Sequence, residues 1–328
     1  GSVHDYFIGM LSVRNNGAQV TELIQKYLGK NIYKIFLVIV SVMLLFVGAV
    51  FVYTSGDIIA DDFFGITNFS LANPTILIIY AIILLYFILA TLLPIDKIIG
   101  RFYPFFAIML LLGSLFIVIG FFTKGVNLQE LNIHHINLNH NGLHILPMFF
   151  MTVCCGLLSG FHSTQSTLIS RTLKNERDGK KVFYGMMCIE SLIAMIWAAA
   201  AMHVYSLNTI PADQIGTAYV INDIADTFVT PWLAFVVTLA VVILPITSGD
   251  TALRSLRLTI ADAINLKQNL VANRLKIIIP ITVIILGILF WAKSSVDSFP
   301  LLWRYFTFGN QLIAIPTFLY TTIYLYKP

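Results

Sequence analysis

Charge is scarce in this sequence. Only 11% of its 328 residues are Asp, Glu, Lys or Arg, whereas 58% are apolar and the mean hydropathy is +0.85. A water-soluble protein cannot bury so large an apolar share and still clothe itself in polar groups, so lipid is the solvent for most of the chain. Cysteine is almost missing too. Cys154, Cys155 and Cys188 all fall in apolar stretches and read as small helix-packing residues, with oxidation left open. No HExxH, GxSxG or phosphate-binding glycine loop occurs, which leaves a nucleotide-driven pump or an intramembrane hydrolase without support. No enzyme activity and no cofactor is therefore expected. Basic and aromatic residues do not interleave as nucleic-acid binding would require, and the net charge of +4 matters less than its placement. The apolar runs lack the two-residue alternation of a membrane barrel.

What remains is a set of continuous apolar runs. A bilayer core about 30 Å thick needs roughly 20 helical residues. Runs of that kind lie at 35–54, 75–93, 103–122, 143–170 (broken), 182–205, 229–248, 277–291 and 299–326. They predict an all-α integral membrane protein with about eight transmembrane helices in a single domain, 1–328. Residues 1–34 read as a cytoplasmic segment, in which the stretch from Gly17 to Ile24 starts a short amphipathic helix. The basic residues test this division independently. Seventeen of the 20 Lys and Arg residues fall on the side that holds Arg14 and Lys327, whereas Lys124 and Lys293 fall on the other and Arg304 lies within the last span. The positive-inside rule then makes the first residues and the C-terminus cytoplasmic. Asp57, Asp61, Asp62, Asp213, Asp223 and Asp226 collect on the outer side.

The fourth span carries the most information. From Leu143 to Leu158 it rises only about 24 Å at helical pitch, so the chain must continue at membrane depth through Ser159-Gly160-Phe161-His162-Ser163-Thr164-Gln165-Ser166. So many consecutive polar residues are expensive in hydrocarbon unless they line protein or water. Ser-Gly invites an unwound joint, which offers backbone groups and a half-helix N-terminus near Ser163 and Thr164 to an anionic group. The alternative is a kinked helix whose polar groups only bind it to its neighbours. His162 and Glu190 come at similar depth on sequential helices, where a His–Glu pair would carry a coupling proton or form a structural contact.

Two further spans contain polar breaks. The sixth ends in Thr247-Ser248-Gly249-Asp250, a set that suits a cation or proton, or else an ordinary helix end with a solvated carboxylate. The last is interrupted by Arg304, Asn310 and Gln311; Arg304 either attracts a substrate carboxylate or snorkels to the outer interface. His134, His135, His140, His144 and Glu130 make a polar outer loop rather than a complete metal set.

At this point the residues match something specific. Gly1–Tyr6, Ser159–Arg171 with Leu173-Lys174-Asn175-Glu176, Thr247–Ser255, Ile260–Ala263, and Trp303–Phe306 with Asn310-Gln311 together resemble the carbon starvation protein A family. The resemblance implies a bacterial cytoplasmic (inner) membrane transporter of a peptide or of pyruvate, coupled to a proton or sodium. It implies a LeuT-like core of the amino acid-polyamine-organocation type, built on inverted repeats. Family members carry preceding spans that this chain lacks, so it also implies N-terminal truncation and a fragment that does not transport alone. The eight spans then become core helices three to ten, with the broken span sixth. Ser159, Gly160, His162, Ser163, Thr164, Gln165 and Arg304 are the expected substrate residues. Thr247, Ser248, Asp250 and Glu190 are the expected coupling residues. A nutrient sensor or scaffold, or a channel, stands as the alternative.

Overall fold

The computed structural model describes residues 1–66, 69–92, 95–126, 128, 146, 149–150, 152–153, 158–207, 217–295 and 297–326. The outer-loop histidines, Cys154, Cys155 and nearly all of the first half of the broken span lie outside the described residues. Among those described there are eleven α-helices and no strand. They are α1 (Ser2–Arg14), α2 (Val20–Leu28), α3 (Lys30–Phe64), α4 (Pro74–Leu92), α5 (Ile95–Lys124), α6 (Gly160–Ser170), α7 (Met186–Ser206), α8 (Thr217–Phe228), α9 (Pro231–Ala263), α10 (Val271–Ala292) and α11 (Ser298–Tyr326). A 3₁₀ turn, Glu176–Asp178, and a π-helical turn, Lys180–Gly185, lead into α7.

Among the described residues six helical stretches are long and apolar enough to cross a membrane: Lys30–Phe64, Pro74–Leu92, Tyr103–Lys124, Glu176–Ser206, Trp232–Ala263 and Val271–Ala292. Their surfaces explain why. On α5 the exposed residues Phe105, Ile108, Leu112, Leu115, Ile119 and Phe122 recur at three- and four-residue spacing, which places them on one face of the helix. Water would punish such an apolar stripe, whereas lipid does not. The face of α4 made by Ile76, Ile79, Tyr80, Ile83, Leu84 and Phe87 is buried in the protein. The 29-residue α11 covers the expected last span but is not among the six, because Arg304, Asn310 and Gln311 dilute its apolar content.

The chain divides into two units. The first gathers Gly1–Val50, Leu143–Ile189 and Gly249–Pro328, and the second Phe51–Gly142 and Glu190–Ser248. In the second unit Ile117, Ala200, Val204, Ile224, Phe228 and Val237 form a buried cluster. Gly120 on α5 lets that cluster close, since a Cβ there would come within 2.5 Å of the Phe228 carbonyl oxygen.

Two helices run further than the apolar runs predict. α3 continues past residue 54 to Phe64, so Asp57 and Asp61 ride on a helix instead of an outer loop. Partners in the second unit make this possible: the Tyr80 hydroxyl donates to Asp57 at 2.5 Å and the Asn222 amide to Asp61 at 2.8 Å. Likewise α9 does not end at 248 but continues to Ala263. Ala252, Leu253, Leu256 and Ala261 are buried on this extension in the first unit, and Arg254 and Arg257, expected in an inner loop, are buried with them.

α1 is a helix at a place where the sequence suggests only a surface segment. Asn16 and Gly17, both at positive φ, turn the chain from α1 into α2. The side chain of Glu22 then accepts from the Gln19 backbone N–H at 2.8 Å, closing the start of α2. The buried face of α2 is Val20, Thr21, Leu23 and Ile24, so this helix is amphipathic.

Candidate functional site

The break expected at Ser159-Gly160 coincides with an extended Ser159 (φ −86°, ψ 121°), after which α6 begins at Gly160. A helix start leaves N–H donors without intrahelical partners. Here protein groups supply the acceptors. Phe161 N–H donates to Asn310 Oδ1 at 2.8 Å, and His162 N–H to Ser159 Oγ at 3.4 Å. The approach between α6 and α11 depends on Gly160, because a Cβ there would come within 2.5 Å of Ile313 Cβ and 2.8 Å of the Asn310 carbonyl oxygen.

The polar side chains of α6 are largely buried, and most turn back on their own helix. Thr164 Oγ1 donates to the Phe161 carbonyl at 2.7 Å, Thr167 to Thr164 at 2.9 Å and Ser170 to Thr167 at 2.8 Å. Such bonds satisfy hydroxyls in an apolar setting without another chain segment. Gln165 is half-buried.

The centre of the site is where α1 meets α6. Asp5 Oδ1 lies 2.7 Å from His4 Nδ1, and Asp5 Oδ2 lies 3.1 Å from His162 Nδ1. Ser163 Oγ is 3.5 Å from His4 Nε2, and the His4 ring packs 5.2 Å from that of Phe318 on α11. Further along, the hydroxyls of Ser12 and Ser170 are 2.7 Å apart. These pairs are separated in sequence by 157, 159 and 158 residues, so α1 and α6 run parallel and in constant register. At the far end Arg171 Nε donates to the Gly17 carbonyl at 2.8 Å, tying the α1–α2 turn to the end of α6. Exposure differs sharply within the cluster. The side chains of His4 and Asp5 are 2% and 4% exposed, whereas that of His162 is 17% exposed.

Ser159, Gly160, His162, Ser163, Thr164 and Gln165 therefore sit together on α6, with Asn310 behind them. Arg304 lies on the first turns of α11 and is exposed. Of the expected coupling residues, Asp250 is buried in the first unit with Arg254 Nη2 3.4 Å away. A carboxylate already beside a guanidinium is a weaker attractor for a cation. Thr247 and Ser248 belong to the part of α9 in the second unit. The Thr247 hydroxyl donates to the carbonyls of Ile243 and Leu244, each at 3.0 Å, and its own carbonyl accepts from Tyr103 at 3.3 Å. Glu190 is exposed on α7, also in the second unit. His4, Asp5 and Asn310 are the residues that the sequence reading left out of the site. A charged His-Asp pair inside the run Val3 to Met10 was the available signal, and its place near the start of the chain disguised it as a surface segment.

Long apolar helices with buried polar groups at their breaks define an all-α, multi-pass membrane protein. The chain belongs to the carbon starvation protein CstA family, whose pattern matches residues 1–80 and 52–224. It is 35% identical over 248 residues to a Haemophilus influenzae protein described as an uncharacterized membrane protein, a match covering 62% of this chain and 67% of that one. It is also 35% identical over 74 residues to the pyruvate/proton symporter BtsT of Escherichia coli, covering 21% of this chain and 10% of the symporter. Over 88 residues it is 35% identical to the peptide transporter CstA of Helicobacter pylori, covering 25% of this chain and 12% of the transporter. The chain thus matches only a small part of the length of the relatives named as transporters. No solved structure matches.

Proposed function

We propose that this chain forms part of a secondary active transporter that takes up a small nutrient, a peptide or pyruvate, in the response to carbon starvation. Coupling to a proton or a cation belongs to the same proposal. So do a place in the bacterial cytoplasmic membrane with both chain ends cytoplasmic, about eight spans, and a LeuT-like inverted-repeat core. One observation carries the reading: a helix dense in hydroxyls, α6, starts after the extended Ser159 and is buried against α1 and α11. A structural helix in lipid has little use for that many polar groups, whereas a transport route must hold polar solute and still satisfy itself when empty. The hydroxyls of Ser163 and Thr164 meet both needs, since each can exchange a bond to its own backbone for one to a ligand. Gln165 and His162, the less buried members, are proposed to touch the substrate first. Arg304 is proposed to attract its carboxylate from the exposed end of α11. The family supports a transporter rather than an enzyme, through the relatives that bear transporter names.

The test is counterflow of radiolabelled pyruvate, with dialanine as competitor, into liposomes containing the full-length native protein. Saturable counterflow that one of these solutes inhibits, and that Gln165→Ala weakens, is the expected result. Single-channel currents without saturation would make the protein a channel. Ligand-induced stabilisation with no counterflow would make it a sensor.

A further inference from the structure

We infer that the His4–Asp5–His162 cluster is the proton-carrying site of this protein, loaded through the ring of His162. The inference rests on the transport reading and adds to it the place where the coupling proton is held.

The argument begins with charge. Asp5 faces two imidazoles on two different oxygens, so that with the carboxylate ionised and both rings neutral the cluster carries a net charge of −1. A lone negative charge in so buried a place is costly, although the two hydrogen bonds reduce that cost. One proton taken up by the ring of His162 makes an imidazolium–carboxylate pair and brings the net charge to zero. A buried site whose charge is cancelled by one proton, held between groups on two different helices, has the properties of a proton carrier.

Geometry supplies the other two requirements. The proton needs an entrance, and His162 is the member with measurable exposure, while Asp5 and His4 are almost sealed. The proton must also act on something that can move. Asp5 belongs to α1 and His162 to α6, so a proton gained or lost changes the attraction between two helices that pack along their length. A substrate touching α6 would share that two-state element, and the two ligands would be coupled through it.

Among the described residues the surroundings offer Asp5 no other ion-pair partner. From α6 the ionisable group facing it is His162, and on α1 it is His4. Neither Glu22 nor Lys26 on α2, Lys180 nor Lys181 on the π-helical turn, nor Arg304 on α11 makes an ion pair with it among the described residues. Arg14, at the other end of α1, is taken up by Glu176 at 2.7 Å and by Tyr324 on α11. Tyr320, also on α11, is buried without any bond to Asp5. The two imidazoles bind opposite oxygens instead of converging on one point, and no metal-ligating group of three occurs among the described residues.

The experiment uses the full-length protein in liposomes, with pyruvate and dialanine as probes. An inward gradient of one pH unit sustains about tenfold accumulation per coupled proton. In Asp5→Asn, accumulation against the gradient is expected to fall to a ratio of about one. An Asp5→Asn protein that still accumulates its solute as the native protein does overturns the inference and leaves the transport reading intact. A native protein with no counterflow of either probe instead sinks the transport reading. If Asp5→Asn loses counterflow as well, its melting midpoint in detergent decides. The native midpoint should fall as a rise in pH strips the bound proton, because the imidazolium–carboxylate pair is lost. A flat profile in Asp5→Asn then supports the assignment, and an unchanged one overturns it.

Discussion

Replacing Asn310 by Leu is the sharpest probe of how α6 is held. The Asn310 side chain is buried, and its Oδ1 accepts the Phe161 N–H at 2.8 Å. Leu keeps the number and branching of the side-chain heavy atoms but has no acceptor, so the substitution removes the bonds that Oδ1 accepts from Phe161 N–H and, at 3.5 Å, from the Ser159 hydroxyl. The Phe161 N–H sits at the first turn of α6, where no carbonyl of its own helix can reach it. The tight approach at Gly160 leaves no space for a replacement acceptor, since even a methyl group there would meet Ile313 at 2.5 Å. A buried donor left unmade costs about 1–3 kcal/mol. For a chain of 328 residues, with an unfolding entropy of about 2.1 cal/mol/K per residue, that corresponds to roughly 1.5–4 °C in melting midpoint. The assay is a thermal melt of the detergent-solubilised protein followed by intrinsic fluorescence. Gln311→Ala serves as control, because the Gln311 amide makes only a 3.2 Å bond to the Phe150 carbonyl in an exposed place and its loss should stay within about 0.5 kcal/mol. An Asn310→Leu protein that melts with the native one would refute the idea that this side chain holds the start of α6.

Gly17→Ala should destabilise by roughly 1–2 kcal/mol, because φ there is +74° and the new Cβ would meet Arg171 Cγ at 2.7 Å; the same melt measures it. Arg14→Ala should shift stability by no more than about 1 kcal/mol, since its bond to Glu176 is between half-exposed side chains; a larger loss would mean that the α1 end is held by this pair.

Much of the architecture was legible in one dimension. A charged share of 11% and runs of about twenty apolar residues leave lipid as the solvent and helices as the structure, because only helices or closed barrels satisfy a backbone there and the runs lack barrel alternation. The interruption at Ser159-Gly160 was readable for the same reason: polar residues in a span are too expensive to be accidental. Where helices end was less legible. Asp57 and Arg254 look like loop residues in sequence, yet each lies within a helix because a partner, Tyr80 for one and Asp250 for the other, reaches it inside its own unit.

The pairing of His4 and Asp5 with His162 and Ser163 was decided by tertiary structure alone. Composition and periodicity report on neighbours within a few turns, whereas these groups stand 157 and 159 residues apart. Only the parallel packing of α1 on α6 brings them together, and so turns an ordinary-looking stretch near the chain start into half of a buried ionic cluster.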